Sequence, residues 1–349
     1  MTPSTALRDL NQTSARLGRD FLLIQAAGGN TSVKDGDTLW VKASGKWLMH
    51  AETQPLFVPV ALGGVRRRIA ADEADPVGPE VQTELNAAGL RPSIETTLHA
   101  LMPQPAVLHA HSVAAIAWAV RADGQARVAE RLQGLRWAWV PYVRPGLPLT
   151  RAVADALAVA NATAKPSEAP VDVVVFGNHG LVTGADTPAE ALALMQSVAE
   201  RLDVPPRATA APQTSLLETA AAGTRYRLPA AAACHALGTD PAATRIAAGG
   251  AMYPDHVVFL GGGLAVVDPK QGDVGQQLRA LPEQPALIVA GAGVLVHESL
   301  GAAGEAMLQC LAEVATRVDA GAKVCYLPDE EVAGLQQWDA EKFRQQQSD

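Results

Sequence analysis

The sequence predicts an α/β protein built as two units, and three observations carry that expectation. Short apolar runs of strand character alternate with stretches of helical periodicity along most of the chain. The 349 residues are 48% hydrophobic without a low-complexity tract, enough for one large core or two ordinary ones. "VPPRATAAPQT", rich in proline and alanine and lacking periodicity, interrupts the pattern once. The expected division is therefore a first domain over 1–203, a linker over 204–214 and a smaller α/β unit over 215–349.

Taken in order, Leu7, Leu10 and Leu17 repeat at helical spacing and Gly18 stops the pattern, so the chain opens with an amphipathic helix. "FLLIQA" follows as a strand. The turn "GGN" leads into the strand "TSVK", and "KDGD" is a hairpin signal before the strand "TLWVKA", which Ser44 and Gly45 end. Residues 62–92, rich in charge, proline and glycine, read as a surface excursion with one short helix. Ser93 is placed to cap the helix "IETTLHALM", and Pro103 closes it. The strand "AVLHAH" comes next, with Ser112 capping the helix behind it. Further on stand the strand "WAWV", the loop "PYVRPG", the helix "TRAVADALAVANATA" and the buried strand "VDVVVF", which ends in "GNHG". Thr187, Pro188 and Glu190 form a capping box for a helix reaching about Leu202. Beyond the linker, "HVVFL", "LAVV", "ALIVA", "VLV" and "KVCYL" read as strands, and residues 301–318 and 329–346 as helices.

Composition narrows the function. A formal charge of −8 leaves no basic field for nucleic acid or an anionic membrane surface, although a local cluster can still hold a small anion. The three cysteines, Cys234, Cys310 and Cys325, are odd in number and lack CxxC spacing, against a disulfide framework or a cysteine zinc site. The first residues lack the basic start and apolar stretch of a signal peptide, and the longest apolar run, "ALIVAGAGVLV", falls short of the ~20 residues a bilayer requires. The expectation is a soluble cytoplasmic protein.

Within "AVLHAH", alternation along a strand puts His109 and His111 on one face with Cα atoms roughly 6.5 to 7 Å apart. That spacing suits a shared metal ion and, taken alone, suits a solvated strand end equally well. Two further residues tilt the balance. His179 follows the buried strand in "VVVFGNHGLVT", and Glu95 lies one turn into the helix that precedes the histidine strand. Three imidazoles and a carboxylate make a nitrogen and oxygen set suited to Zn²⁺ or another divalent transition metal.

The ordered combination of "GGNTSVK", "KASG", "PSIETTLHALMP", "HAH" and "NHG" resembles the class II aldolase/adducin family over residues 5–203. "PSIETTLHALMP" and "VPYVRPG" look closest to the aldolase module of fusions joining a rhamnulose phosphate aldolase to a short-chain dehydrogenase, and the dehydrogenase part has no counterpart in this sequence. The resemblance implies a three-layer αβα aldolase-like domain followed by the smaller α/β unit. It also implies a divalent metal, zinc first with manganese or cobalt as alternatives, held by His109, His111, His179 and Glu95. Glu95 would double as the base that forms a metal-stabilised enediolate, and Tyr142, reaching in from a neighbouring subunit of a tetramer, would act as acid. An ordinary surface-loop tyrosine is an equal reading of Tyr142.

By the same analogy Gly29, Asn30 and Ser32 form one wall of an anion cradle, Ser44 and Gly45 another, and Ser93 sits at a helix N-terminus. One departure matters: phosphate-binding members carry two small polar residues before the glutamate, whereas here Ser93 is followed by Ile94. A carboxylate or a free sugar is then as reasonable a substrate as a phosphate. Lys42 and Lys46 flank the Ser44–Gly45 turn and are expected to be solvated.

Other residues are set aside. His99, four after Glu95, is expected to fill a helix face rather than to orient the carboxylate, and His50, His235, His256 and His297 to be structural or exposed. "RRR" at 66–68 reads as a solvated face, and "FLGGGLAVV" and "VAGAGVLV" lack the strand–turn–helix context of a dinucleotide site. The expected activity is reversible aldol cleavage of a small ketose, sugar phosphate or sugar acid by a homo-oligomer. The alternatives are an epimerase, dehydratase or decarboxylase of the same family, or a silent adducin-like assembly module. Glu95, where family epimerases tend to carry Asp, leans toward cleavage.

Overall fold

The computed structural model describes residues 4–162 and 170–348. Contacts divide them into two compact units, one running to Ala115 and from Gln125 to Leu202, the other comprising Ile116–Gly124 and Asp203–Gln347.

The first unit is a seven-stranded sheet between two layers of helix. Helix α1 (Thr5–Gly18), whose Ser4 accepts a hydrogen bond from the Leu7 N–H, leads to the antiparallel strands β1 (Asn30–Asp35), β2 (Thr38–Lys42) and β3 (Phe57–Ala61). Helices α2 (Leu62–Ala70) and α3 (Thr96–Leu101) precede β4 (Ala106–Ala110). Then come α4 (Val113–Ala119), α5 (Gly124–Arg131), β5 (Trp137–Val140), α6 (Leu147–Ala162), β6 (Val173–Phe176), β7 (Gly180–Ala185) and α7 (Pro188–Leu202). The strand order is β3-β2-β1-β4-β7-β6-β5, antiparallel except for β5 with β6. Helices α1 and α7 pack on one face, α2, α3 and α6 on the other. The α/β class and three-layer architecture expected from the sequence are the ones observed.

Helix α3 is too short to persist alone, and three tertiary anchors hold it. The Thr97 and Thr150 hydroxyls meet at 2.7 Å, joining it to α6. The Lys34 ammonium, reaching from β1, donates to the carbonyls of Met102 and Gln104 at 2.7 and 2.5 Å, and the Arg66 guanidinium donates to the Ala100 carbonyl at 2.8 Å. These groups satisfy carbonyls that the end of a helix leaves without partners.

The second unit carries α8 (Thr214–Ala221), β8 (Tyr226–Arg227), α9 (Ala236–Thr239), α10 (Pro241–Ala248), α11 (Pro254–Leu260), β9 (Ala265–Val267) and α12 (Val274–Ala280). It continues with β10 (Ala286–Val289), β11 (Gly293–His297), α13 (Ala302–Arg317), α14 (Asp329–Gln337) and α15 (Asp339–Ser348). Its sheet runs β8-β11-β10-β9, with Leu217, Val274, Leu278, Leu287, Val289 and Leu295 forming a core beneath α8 and α12. The Arg344 guanidinium binds both Asp255 and Glu341, fastening α15 to α11.

Several local expectations are corrected. "FLLIQA" is a turn, not a strand: the Asp20 carboxylate accepts from the Leu22 N–H and the Asp20 carbonyl from Leu23 and Ile24, which curls the chain before it can extend. "HVVFL" is helix α11, started by Pro254 at its first turn and apolar because most of its residues are buried. "KVCYL" is coil apart from an isolated bridge between Arg121 and Val324, and the helix expected over 329–346 is broken by the extended backbone of Trp338. Strands β3, β7 and β8 and several short helices went unpredicted. The expected helix over 150–164 is seen as α6, its last two residues lying outside the described ones. The capping box at Thr187 forms, with Glu190 Oε2 accepting from the Thr187 N–H at 3.1 Å and Thr187 Oγ1 accepting from the Glu190 N–H at 3.2 Å. Among the described residues no helix is long and apolar enough to cross a membrane.

Candidate metal centre

Strand register brings the candidate residues to one end of the large sheet. Asn30, which opens β1, pairs with His109 near the end of β4, and Ser32 pairs with Val41, so β2 also finishes there. Phe176 closes β6 opposite Gly180, which opens β7, and Val140 ends β5 beside Phe176. His179, in the turn between β6 and β7, and Tyr142, two residues past β5, therefore emerge at that same end, together with Ser44 and Gly45.

His109 and His111 leave β4 on the face that carries Val107, which packs with Leu98 and Met102 of the α3 side. His109, His111 and His179 are all buried, and their ligand atoms lie within 4.8 Å of one another. The ring centroids stand 4.9 to 5.2 Å apart. Phe176 closes the apolar side, 5.7 Å from the His109 ring and 5.6 Å from that of His179. The His109 Nδ1–H donates to the Leu181 carbonyl at 3.1 Å, which fixes the tautomer and turns Nε2 inward, the arrangement that metal-ligating imidazoles adopt.

Two turn residues make this geometry accessible. Asn178 adopts φ 52°, a left-handed conformation that asparagine tolerates better than most residues, and so swings His179 back toward β4. At Gly180 a Cβ would come to 2.4 Å from the Ala110 carbonyl oxygen and 3.3 Å from His109 Cε1. The strand can sit against the histidines only where no side chain intervenes.

Glu95 occupies the position just before α3 rather than one turn inside it, a correction to the sequence reading: its carbonyl accepts the first helical hydrogen bond, from the His99 N–H. Its carboxylate is 4% exposed, with Oε2 3.5 Å from His109 Nε2 and Oε1 3.7 Å from His179 Nε2. Asn30 Nδ2 donates to Oε2 at 2.7 Å, whereas Oε1 is buried without a hydrogen-bond partner. Burial pushes the carboxyl pKa up, but positive charge at His109 and His179 and the Asn30 hydrogen bond outweigh it and hold the group at about 2. Three imidazoles around a buried carboxylate oxygen that lacks a hydrogen bond form a donor set fitting one divalent cation.

His99, set aside as a filler of its helix face, is part of this assembly. Its Nε2 meets Asn30 Oδ1 in a short hydrogen bond, and its Nδ1 lies 2.6 Å from Ser32 Oγ. Burial lowers its pKa to about 3, so the ring is neutral. The signal available in the sequence was the i, i+4 spacing from Glu95, but the contact runs through Asn30 on another element.

The proposed anion cradle takes a different form from the one drawn from analogy. Ser32 is fully buried and its hydroxyl engages His99, so it has no exposed face. The Asn30 amide is bonded to Glu95, His99 and, at 3.3 Å, Ser93 Oγ. Gly29 has φ 61°, and a Cβ there would meet the His109 carbonyl oxygen at 2.6 Å, so packing alone demands glycine. Ser93 Oγ accepts from the Glu95 N–H at 3.2 Å and helps seat the carboxylate. Ser44 is half-buried and Gly45 takes φ 76° in the turn after β2. Lys42, expected in solvent, is buried: Val41 joins the α2 side of the sheet, so alternation sends Lys42 to the opposite face, where its ammonium donates to the Ala27 carbonyl at 2.7 Å. Tyr142 is half-buried, and its backbone N would lie 3.0 Å from a Cβ at Gly177.

Comparison with known proteins decides the family. The sequence model of the Class II Aldolase and Adducin N-terminal domain matches residues 8–204. The chain belongs to the class II aldolase and adducin family. A curated relative, the uncharacterized oxidoreductase YuxG of Bacillus subtilis, is 32% identical over 193 residues, or 52% of this chain and 27% of that protein. The chain thus matches little more than a quarter of that relative's length. Among solved structures, the N-terminal class II aldolase domain of a conserved protein from Thermoplasma acidophilum is 26% identical, covering 58% of this chain and 94% of that one with a TM-score of 0.47. YgbL from Klebsiella pneumoniae, titled a putative aldolase/epimerase/decarboxylase, is 23% identical, covering 58% and 88% with a TM-score of 0.39. An L-fuculose-1-phosphate aldolase from Thermus thermophilus is 18% identical, covering 57% and 92% with a TM-score of 0.38. Members of this class II aldolase family use a divalent metal, and the buried triad could hold one.

Proposed function

We propose that this family member is a metal-dependent lyase that cleaves and forms a carbon–carbon bond in a small ketose or its acidic or phosphorylated derivative. The observation that carries the reading is the buried cluster of His109, His111 and His179 around a carboxylate that keeps one oxygen without a hydrogen bond. His109, His111 and His179 would hold the cation, zinc first with manganese or cobalt as alternatives, and Glu95 would complete the set. When bound, the cation supplies Lewis-acid stabilisation of negative charge on a substrate oxygen.

The chain's own groups supply the rest. Glu95, ionised at neutral pH, would give up its place on the cation as substrate arrives and take a proton from the carbon next to the substrate carbonyl through Oε1, the oxygen that carries no hydrogen bond. The phenol of Tyr142 protonates the alkoxide on the aldehyde side. The anion is assigned to the Ser44–Gly45 turn, where Ser44 is half-buried and Gly45 takes φ 76°. The family precedent for an acid from a neighbouring subunit makes a homo-oligomer, such as a tetramer, the assembly to test.

The deciding experiment loads the protein separately with Zn²⁺, Mn²⁺ and Co²⁺ and offers ketose 1-phosphates, free ketoses and keto acids, with aldehyde release as the readout. Cleavage of any one class supports the reading. Full metal occupancy with substrate proton exchange but no aldehyde points to an epimerase or related activity and sinks the lyase assignment. Mixed oligomers of Tyr142→Phe and Glu95→Gln test the tyrosine: recovery of cleavage above either parent is expected if the phenol crosses a subunit boundary, and its absence in demonstrably mixed oligomers rejects that geometry.

A further inference from the structure

We propose that His99 is a positioning residue: acting through the Asn30 amide, it tethers Oε2 of Glu95 and leaves Oε1 as the single oxygen that accepts the substrate proton. The proposal rests on the lyase reading for its catalytic consequence, although the tether itself exists independently of any metal.

The hydrogen-bond directions admit one consistent solution. Asn30 Nδ2 can only donate, and it faces Glu95 Oε2 at 2.7 Å, with Ser93 Oγ as a second acceptor at 3.3 Å. Asn30 Oδ1 is then an acceptor, so His99 Nε2, in short contact with it, carries the ring proton. The Nδ1 of a neutral ring with that tautomer is an acceptor, and the Ser32 hydroxyl donates to it over 2.6 Å. The line runs Ser32 to His99 to Asn30 to Glu95, every member buried, from β1 to α3 and back. A flipped Asn30 amide would set a carbonyl oxygen against the carboxylate and an NH₂ against an N–H. Glu95 itself disfavours that flip, and His99 as the Nε2–H tautomer adds a second penalty that holds the amide end in place.

The consequence is asymmetric. With Oε2 fixed beside His109 and bonded to Asn30, Oε1 alone faces His179 without a hydrogen bond. A proton acceptor whose second oxygen is already committed presents one lone pair in one direction, the preorganisation a proton transfer requires. The tether also spends both ends of the Asn30 side chain inside the protein, so the substrate anion must find its donors elsewhere.

Isosteres separate positioning from bulk. His99→Gln sets an amide N–H where Nε2–H stood, whereas His99→Asn reaches only the Nδ1 position and leaves Asn30 Oδ1 without its donor. In the metal-free protein, long-range ¹H–¹⁵N correlation is expected to show His99 as the Nε2–H tautomer. The two Asn30 amide protons should be distinct and slow to exchange in wild type and His99→Gln, and averaged in His99→Asn. With Zn²⁺ bound, solvent exchange of the hydroxymethyl protons of dihydroxyacetone or its phosphate should fall about 10- to 100-fold in His99→Asn, the range for losing an outer partner of a metal site. It should recover substantially in His99→Gln, with zinc content equal across all three proteins. An Nδ1–H tautomer, Asn30 signals indifferent to both variants, or equal slowing by both at full zinc content would overturn the proposal. Failure of the lyase reading looks different: wild type with full zinc exchanges neither probe, while the Asn30 signals of the metal-free protein still distinguish the two variants.

Discussion

His179 and Glu95 illustrate how much one side chain can decide at this sheet end. Replacing His179 by Ala removes one of three nitrogen donors and, with it, the imidazole nitrogen 3.7 Å from Glu95 Oε1. The purified variant is expected to retain less than a tenth of the wild-type zinc after dialysis, measured by elemental analysis. Glu95→Gln is the informative contrast. All three imidazoles remain, so zinc should be largely kept, while substrate proton exchange falls by at least about 10²-fold, the usual scale of a lost general base. Zinc fully retained by His179→Ala, or exchange unchanged in Glu95→Gln, would remove the respective assignment. The four candidate ligands could be picked out because each sits at the edge of an element with a strong local signature: "HAH" closes a strand, "NHG" is a turn, and Glu95 stands immediately before α3, two residues after Ser93. His99 and Ser32 were misplaced because their roles depend on facing residues 67 positions apart, a pairing that periodicity does not encode. Lys42 was misread for a related reason, since its face follows from the register of β2 against β1.

At the scale of elements, the meeting of β4 with the turn before β7 sets the histidine geometry, and Gly180 is the contact point. A methyl at Gly180 would come within 2.4 Å of the Ala110 carbonyl oxygen, a backbone atom that cannot rotate aside. Gly180→Ala should therefore part β7 from β4, destabilise the first unit by about 1–3 kcal/mol as overpacking does, and weaken zinc binding because His109 and His179 move apart. Urea unfolding and competition with a chromogenic chelator read the two effects. Normal stability together with normal affinity would show that the strand slides at no cost. The strands recovered from sequence, β1, β2, β4, β5 and β6 in the first unit and β9, β10 and β11 in the second, are those with a turn signal or an apolar run of strand length. The misreadings come from runs whose period is hidden. "HVVFL" is buried along most of its length, so an apolar helix and an apolar strand look alike there, and only Pro254 at its start marks the helix. "FLLIQA" has strand composition, but the Asp20 side chain, one residue upstream, turns the backbone first. Strand β7 begins on the glycine that the histidine packing demands and contains a second, Gly184, which weakens its propensity although five of its six residues are buried.

Across the whole molecule, each unit buries a neutral histidine, and both respond to acid in the same direction. In the second unit His256 Nδ1 accepts from the Met252 N–H at 3.2 Å, and Nε2–H donates to the Gly262 carbonyl at 2.9 Å. Burial lowers its pKa to about 4, and that of His99 in the first unit to about 3, from an ordinary value near 6.5. Between about pH 4 and 6.5 the unfolded chain binds protons that these folded rings refuse, so ν_U exceeds ν_N and stability rises with pH. The contribution is fully present above the unfolded pKa and is lost as pH falls toward the folded one, on the order of 3 kcal/mol for His256 from the 1.36 kcal/mol that accompanies each pKa unit. Metal release would add its own pH dependence, because imidazole ligands must be deprotonated, so the measurement belongs on metal-free protein. His256→Gln keeps a donor toward Gly262 but has nothing to titrate. Its urea midpoint should start lower at pH 7 and then fall less steeply than wild type between pH 6.5 and 4.5. Following the transition by the fluorescence of Trp338, with the other tryptophans replaced, confines the readout to the unit that holds His256. A pH slope unchanged by the substitution would mean that the ring either titrates normally in the folded state or stays protonated there, and neither is compatible with a Met252 amide donating to Nδ1.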